Sequence, residues 1–365
     1  MPSRFIPGLT ILLILTLFAC TNTTTSEREA FFNSITDTAA LSAFPEKEKM
    51  EFRTTGIQGQ DVMTMTVVDT FLLLANQHDS DVLQIIGTGS NKLLATIIPR
   101  GTSKGRCLNV ASIVPTDSND IVWLYDVTSV KLLKIDLQKA VKEKNYTPEK
   151  EYTATSPTMA VKSPCWIDDS TFAGCSYFAD DSRFVFFNDN FRVTKKIGQL
   201  PPSQRGWPDE NPKGKFGLLA MCYTGLLIRH PQEELFALAY NKASRLEFYT
   251  GEKLIKIVRG PDLFDPIYEF QDYNGVHVPK ENENTMYAFS AIQYDKENIY
   301  LLYSGRKSNP TGQQIHVFDW EGRPVKILEL GADYRIFTLF KRGGHTDIYA
   351  INNTTGDIEV SDITM

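Results

Sequence analysis

A basic, glycine-containing stretch directly after an apolar run has the residue types of a ligand-binding loop. It reads PRGTSKGRC over residues 99–107. A glycine-rich loop after a strand can hold a phosphate when a helix follows, because the first amides of the helix converge on the anion. The residues that follow, LNVASIVPTDSNDIVWLYD, have the composition of further strands. We therefore predict a crossing between two β units, and Arg100 and Arg106 remain candidate ligand contacts.

Paired acids and histidines are the other residues that could do acid–base chemistry. The pairs Asp168-Asp169 and Glu233-Glu234 stand beside turn residues, and neighbours in a strand point to opposite faces. The sequence contains none of the motifs GxSxG, HExxH or GxGxxG, and no two histidines have the spacing of zinc ligands. We therefore predict no catalytic residue and no metal ligand. Arg229 and His230, which precede a pair of strands, are kept as candidate binding residues.

Aromatic residues are concentrated in two long loop-like segments, residues 201–217 and 260–289. Loops of this length in a compact fold often carry function. Trp207, Tyr268 and Tyr273 are therefore candidate ligand or partner contacts, since aromatic side chains supply large contact areas at low entropic cost. The alternative, equally open from the sequence, is that these rings pack the loops against the body of the protein.

The elements that must position these residues are short strands in a repeat. From about residue 50 onward, runs rich in β-branched and aromatic residues are bounded by Gly, Asn, Asp and Ser. A pattern of strands and polar turns that ends near a glycine recurs in six units, at a period of roughly 50 residues. That period is typical of four-stranded propeller blades. We predict an all-β, six-bladed β-propeller over residues 50–365, with a β-sandwich as the alternative fold.

Particular strands predict further details of this propeller. The last unit lacks an outer strand, and EFRTTG (residues 51–56) is expected to supply it and close the ring. The run FLLLA is almost wholly apolar, as a strand covered on both faces should be. The hairpin RLEFYTGEKLIKIV alternates apolar and polar residues, so it is expected to be an outer hairpin with Arg245, Glu247 and Tyr249 facing water.

The first 49 residues are predicted to precede the propeller. Arg4 and the apolar run at residues 11–19 form an export signal, and LFAC at residues 17–20 resembles a bacterial lipoprotein signal. We therefore expect residues 1–19 to be a signal peptide and Cys20 to carry a lipid, with an ordinary signal peptide as the alternative. Residues 20–49 are expected to form a tether and a short helical segment.

Composition and charge limit the partners. The net charge of −6 argues against nucleic acid, which usually requires a concentrated basic face. No later apolar stretch is long enough to span a membrane, so membrane contact is expected through the lipid anchor alone, at the bacterial cell envelope. The remaining cysteines are expected either to form disulfides, with Cys165 and Cys175 as a candidate pair, or to be reduced and buried. These cysteines are Cys107, Cys165, Cys175 and Cys222.

The chain resembles the TolB-like six-bladed propeller lipoproteins of Bacteroides-type bacteria. The resemblance rests on Cys20, on the strand–turn–strand pattern of VVDTFLLLANQHDSDVLQIIG, and on the glycine-rich exits PRGTSKGR and VRGPDLFDP. It covers about residues 50–365 and implies the same propeller fold. That family is largely without a known biochemical role, so the resemblance implies no functional residues.

The leading expectation for function is a binding or scaffolding module at the cell envelope that uses the loop-rich face of the propeller. Its partner would be an envelope protein or a glycan. One alternative is a calcium-dependent hydrolase or lactonase-like enzyme, for which residues 180–182 and 188–190 could contribute oxygen ligands. Another is a glycan-binding accessory lipoprotein. Because no acidic residue recurs once per unit, we expect no cofactor, with calcium on the ring axis as the alternative.

Overall fold

The structure, a computed structural model, describes residues 25–154, 161–176, 182–201, 204, 207–208 and 217–363. The chain divides into two compact units, and the second begins at Thr36. In the first unit, helix α1 (Thr25–Ser34) occupies the segment for which a helix was predicted. The predicted signal peptide and Cys20 lie outside the described residues. No helix in the described ranges is long and apolar enough to cross a membrane.

The second unit begins with three short strands that precede the first blade. They are β1 (Thr36–Thr38), β2 (Glu46–Lys49) and β3 (Arg53–Gln58), with a one-turn 3-10 helix at Leu41–Ala43. Each of the three strands pairs with a strand from the second half of the chain. The N-terminal part of this unit therefore holds later blades together.

Blades 1, 2 and 3 are four-stranded antiparallel sheets whose strands follow one another from the ring axis to the rim. Helix α2 (Leu137–Lys142) connects the last two strands of blade 2. The strands are, in blade 1, β4 (Val62–Val68), β5 (Phe71–Asn76), β6 (Asp81–Gly87) and β7 (Lys92–Pro99); in blade 2, β8 (Val110–Pro115), β9 (Ile121–Asp126), β10 (Lys131–Asp136) and β11 (Lys150–Thr153); and in blade 3, β12 (Val161–Asp168), β13 (Thr171–Ser176), β14 (Phe184–Asn188) and β15 (Val193–Ile197).

Blades 4, 5 and 6 follow the same order, with helix α3 (Leu218–Cys222) before blade 4. Blade 5 passes directly into blade 6 because one long strand serves both: its residues 324–329 form the outer strand of blade 5 and residues 334–342 the innermost strand of blade 6. The strands are, in blade 4, β16 (Gly225–Arg229), β17 (Leu235–Tyr240), β18 (Arg245–Thr250) and β19 (Lys253–Arg259); in the hairpin before blade 5, β20 (Glu269–Tyr273) and β21 (Val276–Lys280); and in blades 5 and 6, β22 (Met286–Tyr294), β23 (Asn298–Lys307), β24 (Gly312–Asp319), β25 (Pro324–Arg342), β26 (His345–Asn352) and β27 (Asp357–Ile363).

The ring closes through a strand from the beginning of the unit. Strand β3 pairs antiparallel with β27, with Gln58 opposite Asp357 and Arg53 opposite Val360. The predicted closure is confirmed, although the strand spans residues 53–58 rather than 51–56. Because the outer strand of blade 6 comes from the N-terminal side, backbone hydrogen bonds join the two ends of the propeller.

Two more N-terminal strands cover the rims of blades 4 and 5. Strand β1 pairs in parallel with β19, and β2 pairs in parallel with β25. Residues 20–49 were predicted to precede the propeller, whereas strands from residues 36–49 add a fifth strand to each of these two blades. Covering an edge strand satisfies its outward amides and carbonyls and blocks pairing with another chain.

Clusters of buried apolar side chains lie between neighbouring blades. Leu73 of blade 1 and Leu124 of blade 2 share one cluster. Leu72 of blade 1 and Ile351 of blade 6 share another, so the last blade packs against the first. Strand β5 is buried along its whole length, as its continuous apolar sequence predicted.

The prediction that one side of hairpin β18–β19 faces water is wrong. Arg245, Glu247 and Tyr249 are buried, because neighbouring blades cover both faces of β18. The Glu247 carboxylate lies 3.2 Å from Arg183 of blade 3 and 2.6 Å from Arg245. The polar residues that alternate with apolar ones in β18 therefore belong to a buried ion-pair network and not to a solvated surface.

The cysteines that follow Cys20 are reduced and buried. Cys107, Cys165, Cys175 and Cys222 are all free thiols. Cys165 pairs across the ladder with Ala173, whereas Cys175 stands opposite Lys162. Burial raises the pKa values of Cys165 and Cys175 to about 12. The structure therefore agrees with the expectation of reduced, buried cysteines and not with the expectation of disulfides.

Candidate functional site

The loop-rich face is the face of the ring at which the innermost strands begin. Tyr240 at the end of β17 pairs with Gly225 at the start of β16, so the loop at residues 241–244 lies on this face. A cavity of about 560 Å³, the loop-face cavity, opens there between blades 3, 4 and 5. Its lining is Lys162, Met221, Thr224, Asn241, Lys242, Tyr268, Pro279, Glu281, Tyr287, Phe289, Ser290 and Pro310.

A β-bulge places Lys162 in the wall of this cavity. The pairing of β12 with β13 shifts register between Lys162 and Cys165, and Ser163 has a φ of 50°. A positive φ is strained for a residue with a side chain, and bulges of this kind redirect side chains near functional sites. The Ser163 hydroxyl donates to the carbonyl of Leu227 at 3.2 Å, which ties the bulge to blade 4.

Asn241 links three blades around the cavity. Its amide oxygen accepts a hydrogen bond from Nζ of Lys162 in blade 3. Its amide nitrogen donates to the carbonyl of Phe289 in blade 5 at 2.6 Å, and its backbone nitrogen donates to the carbonyl of Thr224 at 3.0 Å. Because both side-chain atoms of Asn241 are engaged, the position of the Lys162 ammonium is fixed by the ring.

A second lysine on the same wall is paired. Nζ of Lys242 lies 2.5 Å from Oε1 of Glu281 and 3.3 Å from the centroid of the Tyr287 ring. The Tyr287 hydroxyl donates to the other oxygen of Glu281. Burial raises the pKa of Glu281, but the hydrogen bonds from Lys242 and Tyr287 outweigh it and hold that pKa below its usual value. Glu281 is therefore a carboxylate at neutral pH.

The electrostatic surroundings of Lys162 differ from those of Lys242. The pKa of Lys162 is lowered to about 8. Burial is the largest cause, the charge of Lys242 acts in the same direction, and Cys175 and Glu281 oppose it. The pKa of Lys242 is also lowered by burial, although its hydrogen bond to Glu281 opposes this. Two ammonium groups thus share one cavity wall with a single carboxylate among the lining residues that the structure describes.

The predicted aromatic contacts divide between the cavity, the blade and solvent. Tyr268 lines the loop-face cavity. The ring of Trp207 lies 5.6 Å from that of Phe270 and 6.0 Å from that of Tyr223, and it packs against the apolar cluster between blades 3 and 4. Tyr273, on the β20–β21 hairpin, is 60% exposed. The Trp207 ring thus packs against the body of the propeller.

A second cavity, the central channel, runs along the ring axis. It has a volume of about 480 Å³, is lined by residues of all six innermost strands, and shares Lys162 and Ser290 with the loop-face cavity. Arg229 and Asp117 line its far end, where the innermost strands finish. The predicted candidate Arg229 therefore faces the channel and not the loop-face cavity.

His230 lines the same channel, but its ring is committed to structure. Nδ1 accepts hydrogen bonds from the backbone nitrogens of Gln232 and Glu233, at 3.1 and 2.9 Å. Nε2 lies 3.1 Å from the carbonyl oxygen of Lys296, and the ring packs edge-on against Trp320. His230 is buried. Its Nδ1 supports the turn that follows β16, and its Nε2 contacts the turn between β22 and β23 of blade 5.

Arg100 and Arg106 lie at the crossing from blade 1 to blade 2. The guanidinium of Arg100 donates to the carbonyls of Asp79 and Asn76, each at 2.8 Å, and also to that of Leu108. Arg106 is exposed. Neither side chain lines the loop-face cavity or the central channel. Arg100 therefore acts as a clamp on backbone carbonyls, in keeping with the predicted crossing.

The cavity residues other than Tyr268 were missed from the sequence. Lys162 interrupts an apolar strand in AVKSPC, and Asn241 and Lys242 belong to the turn NKAS. A lysine within a buried strand is an unusual residue that could have been noticed, but nothing local connects it with Glu281, which follows 119 residues later. In the parts of the chain that the structure describes, no three His, Cys, Asp or Glu side chains are grouped as a metal site would require.

Comparison with known protein families agrees with this architecture. The model of a family described as TolB-like 6-blade propeller-like matches residues 61–338. The chain belongs to this family. The predicted resemblance and the predicted six-bladed propeller are both confirmed.

Solved structures of two Bacteroides proteins share the fold at low sequence identity. A protein from Bacteroides fragilis described as exported has a TM-score of 0.53 and 9% identity, over 88% of this chain and 99% of that one. A member of the DUF4221 family from Bacteroides vulgatus has a TM-score of 0.50 and 12% identity, over 86% and 97%. No curated protein matches the chain. At such identities these similarities concern the fold alone.

Proposed function

We propose that this TolB-like propeller is a binding module on the outer side of the cytoplasmic membrane, and that its loop-rich face takes up a small molecule in the loop-face cavity. The predicted signal at residues 1–20 supports the location, as does the fold shared with an exported Bacteroides protein. We further propose that Cys20 carries the lipid that anchors the chain at the cell envelope.

The observation that carries the proposal is the convergence of fixed polar groups on one cavity. Small-molecule sites are pockets of about 300–1,000 Å³ with mostly apolar walls and a few well-positioned polar groups. The loop-face cavity has a volume of about 560 Å³, with Phe289 and two prolines in its wall. Lys162, Lys242 and Glu281 supply the charges, and Asn241 holds Lys162 in place.

A hydrogen-bond network orients the polar groups of the site. Asn241 connects blades 3, 4 and 5, and Glu281 is held by two partners, Lys242 and Tyr287. A site whose groups are already oriented loses less conformational entropy when a ligand binds. This arrangement supports small-molecule binding in the cavity over a purely scaffolding role for this face.

Filling the cavity tests the proposal. Ligand-observed NMR with a mixture of small carboxylic acids, amines and sugars would identify compounds that bind the wild-type protein. Thr224→Trp places a large ring in the cavity wall and is expected to abolish their binding. The matched control is Thr96→Trp, on the exposed outer strand of blade 1. Binding that survives Thr224→Trp, or a wild-type protein that binds no compound in the mixture, would contradict the proposal.

A further inference from the structure

Among the residues that the structure describes, no carboxylate pairs directly with the Lys162 ammonium in the loop-face cavity. Nζ of Lys162 donates a hydrogen bond to the neutral amide oxygen of Asn241. The carboxylate among the lining residues, Glu281, is already in direct contact with Lys242 and Tyr287. Within the described lining, two lysines therefore face one glutamate. A buried charge without a counter-charge is unfavourable, and the approach of an anion relieves that cost.

The groups around Lys162 act in opposing directions. Lys242, from the loop between β17 and β18, repels its positive charge. Glu281, beyond β21, and the Cys175 thiol on β13 favour the charged form. Burial is the largest influence and brings the pKa of Lys162 to about 8. The ammonium is therefore still mostly protonated at pH 7, and it is available as a hydrogen-bond donor and as a positive charge.

We propose that the loop-face cavity binds a small organic carboxylate, whose carboxylate group lies between the ammonium groups of Lys162 and Lys242 and whose body packs on Tyr268 and Phe289. This inference rests on the proposed function and names the ligand class. A monoanion matches the excess of one positive charge among the described residues of the wall. The aromatic and proline surface of the cavity suits an apolar or ring-shaped body.

The test compares carboxylates with their neutral amides. Isothermal titration at pH 7 would use benzoate, phenylacetate and indole-3-acetate, each beside its amide. At least one acid is expected to bind at least about tenfold more tightly than its amide, because a charge-assisted hydrogen bond is stronger than a neutral one. Lys162→Met is expected to remove that preference. Lys253→Met, at an exposed strand end, is the matched control and is expected to retain it.

Proton uptake provides a second measurement on the unmodified protein. A bound anion raises the pKa of Lys162, so binding at pH 8, near its pKa, takes up as much as about half a proton. At pH 6 Lys162 is already protonated, and uptake is expected to vanish. Titrations in buffers of different ionisation enthalpy measure this number directly, without depending on whether a variant folds.

The outcomes separate this inference from the proposed function. Binding that is lost in Thr224→Trp but equal for acid and amide would overturn the carboxylate assignment and leave the cavity as a binding site. Inorganic phosphate binding as tightly as the best acid would also overturn it. If none of the three acids binds with a Kd below about 10 mM, the carboxylate inference is wrong. If the NMR mixture also yields no compound that requires an open cavity, the proposed function fails as well.

Discussion

Replacing Glu247 with glutamine is expected to lower the free energy of unfolding by about 3–5 kcal/mol, the cost of removing one member of a buried charge network. Oε1 of Glu247 lies 2.6 Å from Arg245 and 3.2 Å from Arg183. Oε2 accepts hydrogen bonds from the hydroxyls of Tyr240 at 3.0 Å and Tyr249 at 2.7 Å. Burial raises the pKa of Glu247, but the two arginines outweigh it, so the group is a carboxylate in the fold. Glutamine keeps the size of the side chain and removes the charge that both guanidiniums share.

Urea denaturation followed by tryptophan fluorescence measures the loss. The control is Glu252→Gln, the same substitution in the turn of the same hairpin, where the glutamate is 61% exposed and pairs with Lys195 at 2.6 Å. An exposed pair contributes little, so that variant is expected to stay within about 1 kcal/mol of the wild type. A loss of less than about 1 kcal/mol for Glu247→Gln would show that the buried network does not hold blades 3 and 4 together.

The remaining predictions concern pH and the lipid anchor. Burial, with a smaller contribution from the charge of Lys47, lowers the pKa of His316 to about 3. Below about pH 6.5 the unfolded chain therefore binds a proton at this histidine, whereas the folded chain does not. Stability should therefore fall as the pH drops from 6.5 towards 3, by about 2 kcal/mol between pH 7 and pH 5 from this group. His316→Gln should lose that part of the pH dependence and exposed His345→Gln should retain it; equal profiles would refute the argument. In cells, a fatty-acid label should be incorporated into the wild type and not into Cys20→Ala, and an unlabelled wild type would contradict the anchor.

The ring architecture could be predicted because its signals are local and repeated. Each blade needs short strands, tight turns and a buried middle strand, and each of these features has a recognisable sequence pattern within one repeat of about 50 residues. The closing strand was found because the last unit was visibly one strand short. The stretch PRGTSKGRC was assigned to a blade crossing for the same reason: a strand, and not a helix, follows its glycines.

The rest could not be predicted because it depends on contacts between distant segments. Nothing in residues 36–49 indicates that they pair in parallel with β19 and β25. The alternation in RLEFY is that of a half-exposed strand, and only the position of Arg183 on the neighbouring blade explains a buried Glu247. The loop-face cavity likewise joins Lys162, Asn241 and Glu281 from three regions of the chain.

The most direct test of the central claim is a crystal structure of the wild-type protein with the tightest-binding of the three acids. The ligand is expected in the loop-face cavity, with its carboxylate oxygens about 3 Å from Nζ of Lys162 and from Nζ of Lys242. The ring of the ligand should contact Tyr268 or Phe289. A ligand bound at the far end of the central channel, beside Arg229, or on the outer surface while the loop-face cavity holds none, would contradict it.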